Sequence, residues 1–253
     1  ESFIASAERT GAVIFKNELN FQKNTLLREV ASATEIHIED IVDKIYNTSY
    51  ALPVRRNIDF IRNLDSIAKE ESVLSKNFPH IIDAFNSIVG GLYKISKDEL
   101  YYYPDMGSKT TKLTIGESAS SVRALLDVFF FLKYVARPGQ LLIIDEPELN
   151  LHPYSQRRLA QVLAMLVNAG IKIFITTHSD YIIKELNTLL MLDARKTSHS
   201  IIEIMEENGY SKQSLISPSQ IKMYTSERVL KLLPGKTKRS RVQSLTPAQI
   251  DPL

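Results

Sequence analysis

The sequence predicts an α/β fold with a mostly parallel sheet and a helical insertion. Three observations carry that expectation. From Ile115 onward, strand-like apolar runs alternate with helix-like stretches, which is the pattern of a parallel sheet covered by helices. The run Leu141–Ile144 is apolar at every position, as a strand buried on both faces is. Between about residues 22 and 91, apolar residues recur at helical spacing instead, which sets a helical block among the sheet-forming segments.

Taken in order, residues 1–18 read as two short strands around Arg9-Thr10-Gly11, with Gly11 supplying the turn. From Asn24 to Asn47 the positions Leu27, Val30, Ile38, Ile41, Val42 and Ile45 mark a helical face. Helical stretches follow over Ile58–Lys69 and Phe78–Val89, the second closed by Gly90-Gly91, because glycine tolerates the left-handed residue that ends a helix. Strands are expected at Leu92–Ile95, Glu99–Tyr103 and Lys112–Ile115. The triplet Tyr101-Tyr102-Tyr103 reads as a strand with one buried and one exposed face rather than as a stacking platform. Then come a helix over Ser118–Ala136, a strand over Leu141–Ile144, a helix over Ser155–Asn168, a strand over Ile171–Thr176 and a helix over Asp180–Leu190. Ile201–Met205 reads as an edge strand, and no clear period follows Ser217. The expected organisation is a sheet segment over 1–21, a helical insertion over 22–91, a sheet-and-helix body over 92–216 and a basic extension over 217–253.

Composition narrows the function classes. The chain has 253 residues, a formal net charge of +2 and no cysteine. Disulfides, thiolate nucleophiles and cysteine-ligated zinc are therefore excluded, and no global basic field calls for nucleic acid. The absence of thiols suits a reducing cytoplasm. The aromatic-apolar run Val128–Leu132 is interrupted by Lys133 and is far too short to span a bilayer, so no membrane partner is expected. The chain opens on Glu1 and passes directly into Phe3–Ala5, which reads as part of a longer protein.

The chemistry gathers at Leu141–Pro153, LLIIDEPELNLHP. Ligands in parallel α/β sheets bind at the carboxyl ends of strands, and this strand ends on two adjacent acids, Asp145 and Glu146. One acid can hold a divalent cation while the other orients or deprotonates a water. The next strand ends in Thr176-Thr177-His178-Ser179, so a parallel crossover brings His178 toward the same edge. Before the first strand, Gly116-Glu117-Ser118-Ala119-Ser120-Ser121 leads into a helix, whose free N–H groups form an anion site.

These three motifs together resemble the ABC-type P-loop ATPases, in the OLD/RecF/SMC-like branch that includes ATPases of prokaryotic antiphage systems. The resemblance is carried by residues 115–190. It implies an ABC-type head in which Asp145-Glu146 is the Walker B pair, Leu149–Pro153 the D-loop and His178 the switch histidine. The cofactors it implies are ATP and Mg²⁺. Asp145 would hold the metal and Glu146 the attacking water, His178 would sense the γ-phosphate, and Ser118, Ser120 and Ser121 would supply the signature contacts. Asn150 would report across a homodimer or larger homo-oligomer. The family's signature carries a glycine after its serine, and here none follows Glu117.

No phosphate loop of the form G-x-x-x-x-G-K-[ST] occurs in the chain. At Gly235-Lys236-Thr237 the first glycine is replaced by Leu230, and Pro234 falls inside the loop. The loop is expected upstream of Glu1, and the chain alone is expected to be inactive. Glu8-Arg9-Thr10-Gly11 resembles an Ala-Glu-Arg element of OLD-like ATPases, and a surface turn is the plainer reading. The stretch from Arg228 to Arg241 holds Arg228, Lys231, Lys236, Lys238, Arg239 and Arg241 with no acid. It is compatible with salt-dependent nucleic-acid contact or with a solvated tail.

The leading functional expectation is an ATP hydrolase that dimerises around nucleotide and controls a nuclease or toxin partner in antiphage defence. Two alternatives stand beside it, a weakly hydrolysing ATP-binding scaffold that assembles effectors and a RecF/SMC-like DNA-binding repair ATPase. An OLD-type nuclease would need a Toprim domain with clustered acids, and nothing after His178 supplies such a domain.

Overall fold

The computed structural model describes residues 2–14, 50–96, 99–105, 111–235 and 237–248. It divides into two compact units, Glu1–Ile182 and Ile183–Leu253. The helical face expected over Asn24–Asn47 lies outside the described residues.

The first unit is built on a parallel sheet. Its strands are β1 (Ser2–Ala5), β5 (Leu141–Asp145) and β6 (Lys172–Thr176), in the order β1-β5-β6. Register pairs Ser2 with Leu141 on one side of β5 and Asp145 with Thr176 on the other. The two functional strand ends therefore finish level at one edge. Leu142 and Ile144 are buried while Leu141 and Ile143 are half-buried, so β5 is covered on both faces, as its unbroken apolar run predicts.

Between β1 and the next sheet lie α1 (Arg9–Ile14), α2 (Leu52–Arg62), α3 (Leu64–Ile67), α4 (Val73–Asn77) and α5 (Pro79–Val89). The second expected strand of residues 1–18 is thus a helix. Ser6 to Glu8 form a turn that starts it, with Arg9 N–H donating to Ser6 O at 3.2 Å and Gly11 N–H to Glu8 O at 2.9 Å. Gly11 sits inside α1 rather than at a turn. The helix expected over Ile58–Lys69 begins earlier, at Leu52 with a proline in its first turn, and breaks at Asn63.

The main core forms around α6 (Ser120–Tyr134). Every residue from Ala124 to Leu132 is buried. Phe131 stacks on Phe3 of β1 with ring centroids 4.4 Å apart, and Phe3 meets Phe60 of α2 edge-on at 4.8 Å. Ile61, Leu64, Leu74, Ile81 and Phe85 belong to the same cluster, so helices α2 to α5 share one core with the sheet. Leu159, Leu163 and Leu166 of α7 (Pro153–Asn168) complete it.

A second sheet, β2-β3-β4, is antiparallel and comprises Gly91–Ser96, Glu99–Pro104 and Leu113–Thr114. Tyr102 is the buried member of the tyrosine triplet, and its hydroxyl donates to Val89 O and Gly90 O at 2.9 and 2.7 Å. The two glycines at the end of α5 serve different needs. Gly90 takes the left-handed conformation at φ 71°. Gly91 leaves room for its neighbour, since a Cβ there would lie 2.3 Å from the Tyr103 carbonyl oxygen.

Helix α8 (Asp180–Ala194) runs into the second unit, which holds α9 (His199–Glu207) and the hairpin β7 (Tyr224–Leu232) and β8 (Arg239–Pro247). The expected edge strand over 201–205 is thus helical. Ile201 and Met205, four residues apart, share a small core with Leu192, Leu215 and Tyr210, whereas Ile204 is 47% exposed. That spacing buries one helical stripe, and Ile202 and Ile204 between those two residues mask it in the sequence. Beyond Ser217, where the sequence shows no clear period, the chain forms a hairpin. Gly235, at φ 75°, lies between two nine-residue antiparallel strands, not between a strand and a helix as a phosphate loop does. No helix among the described residues is long and apolar enough to cross a membrane.

We predict that Gly91→Ala destabilises the protein more than Gly90→Ala. The second should cost about 1 kcal/mol for its positive φ, and the first about 2 kcal/mol or more because backbone must move. Urea denaturation of the two variants checks the order, and equal midpoints would contradict it.

Candidate active site

β5 runs straight into a tight and unusual turn. Glu146 has φ 48° and Asn150 has φ 60°, and they are the positive-φ residues other than glycine among those described. For a side-chain-bearing residue such a conformation costs about 1–3 kcal/mol and collects at functional sites. Glu146 also precedes a buried proline, Pro147, which restricts its backbone further. The turn closes with Leu149 N–H donating to Glu146 O at 3.1 Å and Leu151 N–H to Glu148 O at 2.9 Å. His152 then caps α7, its Nδ1 accepting from Tyr154 N–H at 3.2 Å.

Two groups hold Glu146 in place. Its N–H donates to Thr176 O of β6 at 3.1 Å. From the other side, Arg9 Nη2 donates to Glu146 O at 3.0 Å and Nη1 to Asp145 O at 2.7 Å. The surface-turn expectation for Arg9 is corrected here, since the side chain is 1% exposed. A guanidinium so far from water must have its donors met inside the protein, and main-chain carbonyls meet them.

Behind Arg9 lies a buried polar cluster. Asn57 of α2, fully buried, accepts from Ser6 N–H at 2.9 Å and donates to Ile4 O at 2.6 Å and to Asp127 Oδ2 at 3.3 Å. Asp127 lies in α6 and also accepts from Val128 N–H at 2.8 Å. Burial pushes its carboxyl up to about 6, while the Arg9 charge and the Val128 amide pull the other way. These residues escape a motif search. Their signal is a lone acid inside the apolar run Leu125–Leu132, which requires a buried donor or cation.

The neighbouring strand end is tied to the turn by Glu148. Its carboxylate accepts from Thr177 Oγ1 at 2.8 Å and from His178 N–H at 2.7 Å. The Thr176 hydroxyl donates to Asp145 Oδ1, and Ser179 Oγ accepts from Ile182 N–H at 3.2 Å at the start of α8. His178 itself is exposed. The structure therefore gathers Asp145, Glu146, Asn150 and His178 at one sheet edge, with Asp145 and Glu146 half-buried.

The three serines sit on a separate element. Ser118 is buried, and its hydroxyl donates to Ile115 O at 2.6 Å. Ser120 and Ser121, exposed and half-buried, open α6, where first-turn N–H groups have no partner within the helix.

Among the described residues no group of three or more His, Cys, Asp and Glu could hold a metal ion alone. A single half-buried carboxylate at a strand edge fits Mg²⁺, which binds through one or two carboxylates and keeps waters and phosphate oxygens as its other ligands. Asp145 could hold it there. Glu146, one residue on, has a free carboxylate in reach of the same edge.

Comparison with known proteins agrees with this geometry. Residues 7–183 match the family described as AAA ATPase domain. The chain belongs to that family. The matched span holds Arg9, both carboxylates and His178. The chain is also 24% identical over 202 residues to the Old nuclease of Escherichia phage P2, across 66% of this chain and 32% of that protein. The chain thus spans about a third of the relative it matches. The expected OLD-like P-loop ATPase assignment and α/β class stand on these matches and on the parallel sheet.

The Asp127 carboxyl generates a pH prediction. The native group titrates near 6 and the free group near 3.8, so between those values the native state holds a proton that the unfolded state has lost. Its contribution to stability is complete below about pH 4 and is lost as pH rises through about 6. Asp127→Asn should remove this slope, shrinking the stability difference between pH 4 and pH 7 by about 2–3 kcal/mol. Urea denaturation at both pH values measures it, and an unchanged slope would refute the assignment.

Proposed function

We propose that this chain supplies the hydrolytic edge of an OLD-like ATPase. The observation that carries the proposal is the Asp145-Glu146 pair at a strand end, held in a left-handed turn and tied through Glu148 to the strand end that bears His178. Side chains fixed by packing and by their neighbours are what phosphoryl transfer asks of a protein, since its catalysis is mostly positioning and electrostatics. Mg²⁺, when bound, would neutralise charge developing on the phosphate oxygens. Asp145 is the residue that would hold it. Glu146 would orient the attacking water and accept its proton, and His178 would contact the terminal phosphate. The phosphate-gripping loop is not spelled in these 253 residues, so this edge is one share of the site.

Ser120 and Ser121 open α6, a different element from the strands of that edge, and we assign them to the nucleotide of a second copy, in a head-to-tail homodimer closed by ATP. Binding that favours the closed dimer by differential affinity makes nucleotide state a switch. The similarity to a protein named a nuclease supports a nuclease or toxin as the controlled partner, in cytoplasmic antiphage defence. A nucleic-acid contact is supported by the hairpin, whose register sets Arg228, Arg239 and Arg241 on one face.

In the intact native protein, Glu146→Gln should keep ATP binding within about threefold and lower turnover by about 10²–10⁴. Equilibrium binding and steady-state hydrolysis check both halves. Unchanged turnover in that variant would rule the proposal out.

A further inference from the structure

We infer that Arg9 is a positioning residue that ties the first turns of α6 to the Asp145-Glu146 turn and so sets the orientation of Glu146. The inference deepens the proposed function and rests on it for the word hydrolysis, although the geometry stands independently.

All four described bonds of Arg9 go to main-chain carbonyls. Nε donates to Ala124 O at 2.7 Å, and Nη1 donates to Ser6 O at 2.9 Å as well as to Asp145 O at 2.7 Å. Nη2 donates to Glu146 O at 3.0 Å. In an extended strand, successive carbonyls point to opposite sides. Asp145 O and Glu146 O nevertheless reach the same guanidinium, because Glu146 is left-handed at φ 48°. The arginine and the strained residue therefore require one another. Fixing both peptide groups that flank the Glu146 Cα fixes where its side chain leaves the backbone.

The same fork reaches Ala124, four residues into the helix that begins at Ser120. Ser120 and Ser121 on one element and Glu146 on another are thereby linked through a single side chain. Only a planar fork can do this. A lysine keeps the charge and offers it from one atom, so it cannot span carbonyls of α6, β5 and the β1–α1 turn together. Asp127, in α6, supplies the facing charge.

The test uses Arg9→Lys in the intact native protein, with thermal unfolding as the fold check. Hydrogen exchange of the amides from 146 to 151 should quicken about tenfold or more, while the centre of α6 stays protected. Affinity for a non-hydrolysable ATP analogue should stay within about threefold, and kcat should fall about 10–100-fold, as misplacement of a catalytic group by about an ångström does. In a Glu146→Gln background Arg9→Lys should lower turnover less than twofold further, since the residues act as one unit.

Wild-type exchange over 146–151 together with wild-type kcat in Arg9→Lys would overturn the role of Arg9 and leave the proposed function standing. An absence of ATP turnover in the wild-type protein would overturn the function and not the exchange result. If Arg9→Lys fails to fold, it is combined with Glu146→Gly, which removes the left-handed strain. Recovery of cooperative unfolding supports the inference, and failure to recover overturns it.

Discussion

The Arg9 guanidinium rests against the consecutive carbonyls of Asp145 and Glu146, and the surrounding structure is arranged to make that contact tolerable. A cation that is 1% exposed has given up its water, and only charge-assisted hydrogen bonds of good geometry offset the loss. Four carbonyls provide them, and the Arg9 charge also acts on the nearby Asp127 carboxyl. The consequence is asymmetric. With all partners present the cluster is stable, and with one removed a buried charge or carbonyl is stranded at a cost of several kcal/mol. Asn57 extends the same logic by meeting Ser6 N–H and Ile4 O at the end of β1.

This buried polar knot explains why α2 packs where it does. Asn57 and Phe60 lie three residues apart on α2, one reaching the polar cluster and the other the Phe3–Phe131 stack. The helix therefore buries a polar contact and an aromatic one side by side. Rigid aromatic packing below and a hydrogen-bonded cation above leave the strand end little freedom. Strain at Glu146 and Asn150 persists because the neighbourhood over-determines it, and the gain is a carboxylate aimed before any nucleotide arrives.

Much of the frame was legible in the sequence for physical reasons. β5 is a short apolar run ending on Asp145, β6 carries Ile173-Phe174-Ile175 between Lys172 and Thr176, α7 shows Leu159, Leu163 and Leu166 on one stripe, and Gly90 marks the end of α5. The place of the carboxylate pair and His178 at neighbouring strand ends was legible because each directly follows an apolar run. Arg9 was not, since an arginine beside Thr10-Gly11 has the composition of a surface turn and three of its four described acceptors lie 115 to 137 residues away. Ile201–Met205 misled because four of its five residues are apolar, and only burial of Ile201 and Met205 reveals the helical stripe. The hairpin after Ser217 was hidden because its strands carry mixed polar and apolar residues on both faces, with Leu230 and Leu245 exposed at 59% and 67%. No alternation could show there.

The central claim is that the edge formed by Asp145, Glu146 and His178 is where nucleotide acts. Hydrogen exchange of the intact native protein, with and without Mg²⁺ and a non-hydrolysable ATP analogue, addresses it most directly. Slower exchange over 145–151 and 176–179, with a matching change over 118–123, is the result this account requires. Saturable analogue binding that leaves all three segments unchanged would contradict it.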